Sequence, residues 1–120
     1  MEQLDLAVQK IVSIAHPEKL ILFGSRGRGD NTEDSDWDFM VICDHAERST
    51  KRTLYRAMNL PADIILVDKA RWERSRRVPG TIYYDADTQG KVLHDRSTNS
   101  RAIRPLKAAA PVVGQRRSRR

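Results

Sequence analysis

The sequence predicts a small α/β or α+β fold, one sheet with helices packed against it, on three observations. The runs KLILF (19–23), DWDFMVIC (36–43) and ADIILVD (62–68) are of strand length and bounded by turn residues. Helical periodicity fills the stretches before and between them, at 2–15 and 46–59. At 120 residues the chain has room for one domain with a modest core, and none for a separate substrate domain. The element order is helix, strand, loop or short helix, strand, helix, strand, helices. Strand directions are not specified by this pattern.

Leu4, Ala7, Val8, Ile11, Ile14 and Ala15 fall at helical spacing and Pro17 supplies a stop, so residues 2–15 read as an amphipathic helix. KLILF, close behind that proline and ending at Gly24, suits a buried strand. DWDFMVIC begins as an alternation and becomes continuously apolar, as a strand does on passing from a cleft into a core. Residues 46–59 form a polar helix with a thin stripe at Leu54, Ala57 and Met58. ADIILVD, introduced by Pro61, is a third strand with Asp63 near its start and Asp68 at its end. A charged helix at 69–77, a break at Pro79-Gly80, a helix at 81–89 ended by Gly90 and a short KVLH strand or extended piece complete the body. There are no internal repeats.

The formal charge of +6 is unevenly distributed. Residues 1–96 hold 15 Lys/Arg against 16 Asp/Glu, so the other 7 of the 22 basic residues lie in 97–120. That segment carries Pro105, Pro111 and Gly114, lacks a sustained period, and reads as a disordered basic tail. It is a solvated extension or, failing that, an arm for nonspecific RNA or partner contacts. Nucleic acid is otherwise not expected as a partner. One cysteine, Cys43, excludes a disulfide framework and a Cys-based zinc site. No apolar run approaches a membrane span and the amino terminus does not read as a leader, so a cytoplasmic setting is expected.

The chemistry concentrates in GSRGRGDNTEDSDWD (24–38). Gly24 at a strand end lets the backbone turn sharply and a phosphate approach, and Ser25 can cap a following helix while presenting its hydroxyl to an anion. Asp36 and Asp38, at i and i+2 of a strand, share a face and repel unless a cation sits between them. Oxygen-only ligands suit Mg²⁺ or Mn²⁺. If Asp63 approaches the same face, three carboxylates can hold the ions of an in-line nucleotidyl transfer. Arg26 and Arg28 could steady triphosphate charge or simply be solvated. Asp30, Glu33 and Asp34 read as a solvated turn. His16, His45 and His94 lack metal-ligand spacing, and the P-loop and dinucleotide fingerprints do not match.

Gly24-Ser25, ten residues, then Asp36-Trp37-Asp38 resembles the GS-x10-DxD signature of the minimal nucleotidyltransferases in the DNA polymerase β-like superfamily. The similarity continues through ADIILVD and GTIYYDADTQGKVLHD, covering residues 1–96 as the domain and leaving 97–120 as the tail. Trp37 and Phe39 are bulkier than the Leu or Ile usual in that pattern. The resemblance implies a small mixed sheet with helices, and a Mg²⁺-dependent enzyme taking the nucleoside monophosphate from an NTP. In that reading Gly24 and Ser25, with Arg26 and Arg28, bind the triphosphate. Asp36, Asp38 and Asp63 are then the metal ligands and catalytic carboxylates. It further implies an antitoxin that transfers AMP from ATP to a tyrosine of a HEPN-domain ribonuclease toxin, the bulky acceptor this chain is too small to cradle alone. The chain itself lacks the Arg-x4-6-His spacing of HEPN ribonucleases. Two alternatives stay open: an antitoxin acting by occlusion without turnover, and a small-molecule nucleotidyltransferase of the antibiotic-modifying kind.

Overall fold

Residues 2–99 are described by a computed structural model. Helix α1 (Glu2–Ala15) forms where the periodicity places it and buries Ala7 and Ile11. His16 ends it, with φ of 48° and its N–H donated to Val12 O at 3.0 Å. A left-handed residue closes the last turn and Pro17 cannot resume the helix.

Strands β1 (Lys19–Phe23), β2 (Trp37–Cys43), β3 (Ala62–Asp68) and β4 (Lys91–Asp95) make one sheet in the order β3-β2-β1-β4. β1 is antiparallel to both neighbours, whereas β2 and β3 run parallel. The sheet is therefore mixed. A parallel pair needs a crossover, and α3 (Arg48–Ala57) supplies it. This helix is shorter than 46–59 because Glu47 and Met58, at its two ends, are already extended.

Helices cover both faces, which is why the strands read as apolar runs rather than alternations. On one face Leu20, Leu22, Phe39, Val41, Cys43 and Ile64 pack against Ala7 and Ile11 of α1 and Leu54 of α3. On the other, Ile21, Phe23, Met40, Ile42 and Val67 meet Trp72 of α4 (Lys69–Ser75) and Ala86 of α5 (Ile82–Gln89). Both of these helices are capped by side chains. Asp68 Oδ1 accepts Arg71 N–H at 2.8 Å, and Thr81 Oγ1 accepts Tyr84 N–H at 3.1 Å. A short helix, α2 (Gly24–Arg28), follows β1 directly, and α6 (Arg96–Asn99) follows β4. The expected tail thus starts within α6, and its part from residue 100 onward lies outside the described residues. Among the described residues no helix is long and apolar enough to cross a membrane.

Cys43, at the end of β2, is buried and points its thiol to Ala15 O at 3.6 Å. Desolvation, with the Asp44 charge adding and Arg96 opposing, pushes its pKa up to about 11. Only the thiolate is nucleophilic, so Cys43 should resist a disulfide reagent at pH 8 in the native protein and react at once in denaturant. Fast modification of the native protein would show that this end of β2 is open.

Candidate functional site

The site residues collect where β1 ends and β2 and β3 begin. Successive strand residues point to opposite faces, so Asp38 shares the α4/α5 face with Met40 and Ile42, and Trp37 turns to the α1/α3 face with Phe39. Asp63 stands directly beside Asp38 in the parallel register, and Phe23 is its partner on the antiparallel side. The apolar packing of β2 begins at Phe39, leaving Trp37 and Asp38 half-buried and Asp36 exposed. The change from alternation to a continuous run in the sequence marks that transition.

Gly24 is fitted against this carboxylate. Its φ is 69°, and a Cβ there would collide with Asp38 Oδ2. Only glycine allows the β1–α2 turn to pass so close to the Asp38 side chain in this backbone conformation. Ser25 does not cap α2 as the sequence suggests. It lies inside the first turn behind Phe23, and its carbonyl accepts the N–H groups of Gly29 (2.8 Å) and Asp30 (3.0 Å). Its hydroxyl has no hydrogen-bond partner among the described residues.

The electrostatics tie the cluster together. Asp38 has its pKa raised above 3.8, first by desolvation, then by the charges of Asp63 and Asp36, while Arg28 opposes the rise. Three carboxylates and one arginine therefore act on one another here. Among the described residues no three His, Cys, Asp or Glu side chains are gathered closely enough to cage an ion. The donor set is nonetheless hard and anionic, and the strain on Asp38 is what a divalent cation would relieve.

Arg26 and Arg28 separate. Arg28 stays at the cluster, its Nε 3.2 Å from Asp30 Oδ2. Arg26 turns to the other face, stacked over Trp37 at 4.0 Å from the ring centroid. It donates to the carbonyls of Ser35 (3.0 Å), Thr32 (3.3 Å) and Glu33 (3.3 Å). It also lines a cavity of about 320 Å³ with Gln3, Glu33, Trp37, Asn59 and Pro61, to which Asp36, Asp38 and Asp63 do not contribute. Arg26 thus stands apart from Arg28, and its guanidinium braces the 30–36 loop that carries Asp36. Arg26→Ala should lower stability by about 1–2 kcal/mol, from the lost cation–π contact and hydrogen bonds. Amide exchange across residues 30–36 should accelerate with it. Unchanged exchange would show that the loop holds itself.

Sequence reasoning missed Tyr55. From α3 its hydroxyl donates to Asp63 Oδ1 at 3.1 Å and accepts Ile64 N–H at 2.8 Å. Burial raises its pKa first; the Ile64 backbone contact lowers it and Asp63 raises it again. The one sequence signal was its position beside Leu54 on the helix preceding β3.

The family described as "Polymerase beta, Nucleotidyltransferase" matches residues 7–99, well over half of the chain. Among solved structures, the chain is similar to a candidate nucleotidyltransferase from Sulfolobus solfataricus. The TM-score is 0.55 and the identity 20%, over 80% of this chain and 83% of that one. A second structure, also described as a candidate nucleotidyltransferase, is similar with a TM-score of 0.50 and 15% identity, covering 78% of this chain and 100% of that one. At such identities the likeness is one of fold. No curated protein matches the sequence.

Proposed function

The chain belongs to the polymerase β nucleotidyltransferase family, and from that premise we propose that it is a protein adenylyltransferase. In this reading it is an antitoxin that moves AMP from ATP to a tyrosine of a HEPN-domain toxin. The family itself implies only nucleotidyl transfer with an NTP and a divalent ion. ATP, Mg²⁺, the tyrosine and the partner are our reading, supported by the GS-x10-DxD signature. The observation that carries the chemical part is Asp38, set in register with Asp63, charged against Asp36, and packed against a left-handed Gly24.

Asp36, Asp38 and Asp63 would hold Mg²⁺ or Mn²⁺, which supplies charge neutralisation on the triphosphate and activation of the acceptor hydroxyl. Gly24 and Ser25 receive the phosphates: the turn admits them to the main chain, and the Ser25 hydroxyl is free to donate. Arg28 adds positive charge beside Asp38. Asp63, as base, takes the proton of the attacking tyrosine, whose oxygen bonds to the α-phosphorus as pyrophosphate departs. Arg26 acts through the loop and is left out of phosphate binding.

The test is incubation of the protein with Mg²⁺, α-labelled ATP and the HEPN partner, followed by mass spectrometry of the partner. AMP on a partner tyrosine is expected. Neutralisation of the toxin without any adduct would replace this reading by occlusion, and transfer to a small hydroxylated substrate instead of the protein would replace its acceptor.

A further inference from the structure

We infer that Tyr55 is a positioning residue that holds Asp63 in its working orientation. This rests on the reading of Asp63 as the third carboxylate of the transfer site. Tyr55 stands on α3, which packs on the face opposite the carboxylates, and its side chain reaches β3 at the edge of the sheet.

The direction of its two hydrogen bonds follows from proton counting. An amide N–H can only donate and a phenol has one proton. Ile64 N–H therefore takes a lone pair of the Tyr55 oxygen, at 2.8 Å. The phenolic proton must then go to an acceptor, and Asp63 Oδ1 at 3.1 Å is nearer than the Ile64 carbonyl at 3.5 Å. The main chain of β3 thereby fixes the hydroxyl, and the hydroxyl fixes one oxygen of the adjacent Asp63. Its other oxygen has no hydrogen bond among the described residues.

Asp63 needs such a device. It is exposed and lies in register with Asp38, whose charge repels it, so an unheld carboxylate would swing toward solvent. A strut anchored to the backbone sets its orientation before any ligand arrives. The phenol's proton and one of its lone pairs are both spent on β3, which makes it a strut between the main chain and the carboxylate.

The experiment compares Tyr55→Phe, Asp63→Asn and the double variant in the full chain. It measures Mn²⁺ affinity of the nucleotide-free protein, kcat and KM for ATP, and the thermal midpoint. Outer partners of ligating carboxylates typically contribute ~10- to 100-fold. Tyr55→Phe should therefore lower kcat and Mn²⁺ affinity by about 10-fold, leave KM for ATP nearly unchanged, and cost nothing further in the Asp63→Asn background. Equal losses in both backgrounds would reduce Tyr55 to an edge cap of β3. Unchanged Mn²⁺ affinity and kcat, or an AMP adduct on Tyr55 itself, would overturn the strut outright. No transfer by the wild type, with the Mn²⁺ coupling between the two residues intact, would uphold the strut and sink the adenylyltransferase reading alone.

Discussion

Replacing Asp36 and Asp38 together with asparagine is expected to stop nucleotidyl transfer while making the metal-free protein more thermostable. The catalytic half follows from the charge. Metal-held phosphoryl chemistry draws several kcal/mol of transition-state stabilisation from its ions, and each ~1.4 kcal/mol is tenfold in rate. Losing two carboxylates should then cost roughly 10³-fold or more in transfer. Labelled-ATP turnover with the proposed HEPN partner measures it, and undiminished labelling would sink the assigned site.

The stability half follows from Asp38. Its folded-state pKa is raised, first by desolvation and then by Asp63 and Asp36. The folded protein therefore binds this proton more tightly than the unfolded chain, and stability falls as pH rises from the ordinary value of 3.8 through the raised one. Above that window the full penalty is present, and asparagine removes it. Thermal melts of metal-free protein should favour the variant at pH 7, with the advantage closing as pH falls toward 4. Adding Mn²⁺ and a non-hydrolysable ATP analogue should raise the wild-type midpoint and leave the variant's unmoved. A variant less stable than the wild type at pH 7 would mean that these carboxylates are structural supports.

The helices and strands were legible because both sheet faces are covered and the apolar runs state this directly. The parallel β2–β3 pairing was not, since it depends on where α3 carries the chain. Gly24 and Asp38 announced themselves as residue types, but their contact is a fact of register: Phe23 sits opposite Asp38, which puts Gly24 one step beyond. The separation of Arg26 from Arg28 was not legible for a simpler reason. Read as a loop, GSRGR lets both arginines serve one ligand; as a helix, residues two apart are about 200° round the axis and cannot. Arg28 therefore stays with the carboxylates while Arg26 goes to Trp37. Tyr55 left no motif, because a side chain reaching the edge of a strand has no period in sequence.

Gly24→Ala should damage transfer severely while leaving every charge in place. Two costs coincide there. A left-handed L-residue loses roughly 1–2 kcal/mol, and the new methyl meets Asp38 Oδ2, so the turn or the carboxylate must shift. A displacement of about 1 Å at a reacting centre costs on the order of 10²-fold in rate, so transfer should fall at least that far. Gly29→Ala separates the two costs. Gly29 has φ of 88° with nothing within 4 Å of its would-be Cβ. That variant should show the backbone penalty alone and keep its activity. Asp38→Ala supplies the other arm of the cycle: with the carboxylate gone, the stability loss from Gly24→Ala should shrink to that of Gly29→Ala. A loss undiminished in the Asp38→Ala background would show that the turn needs glycine for its backbone alone, and that the contact with Asp38 is incidental to the site.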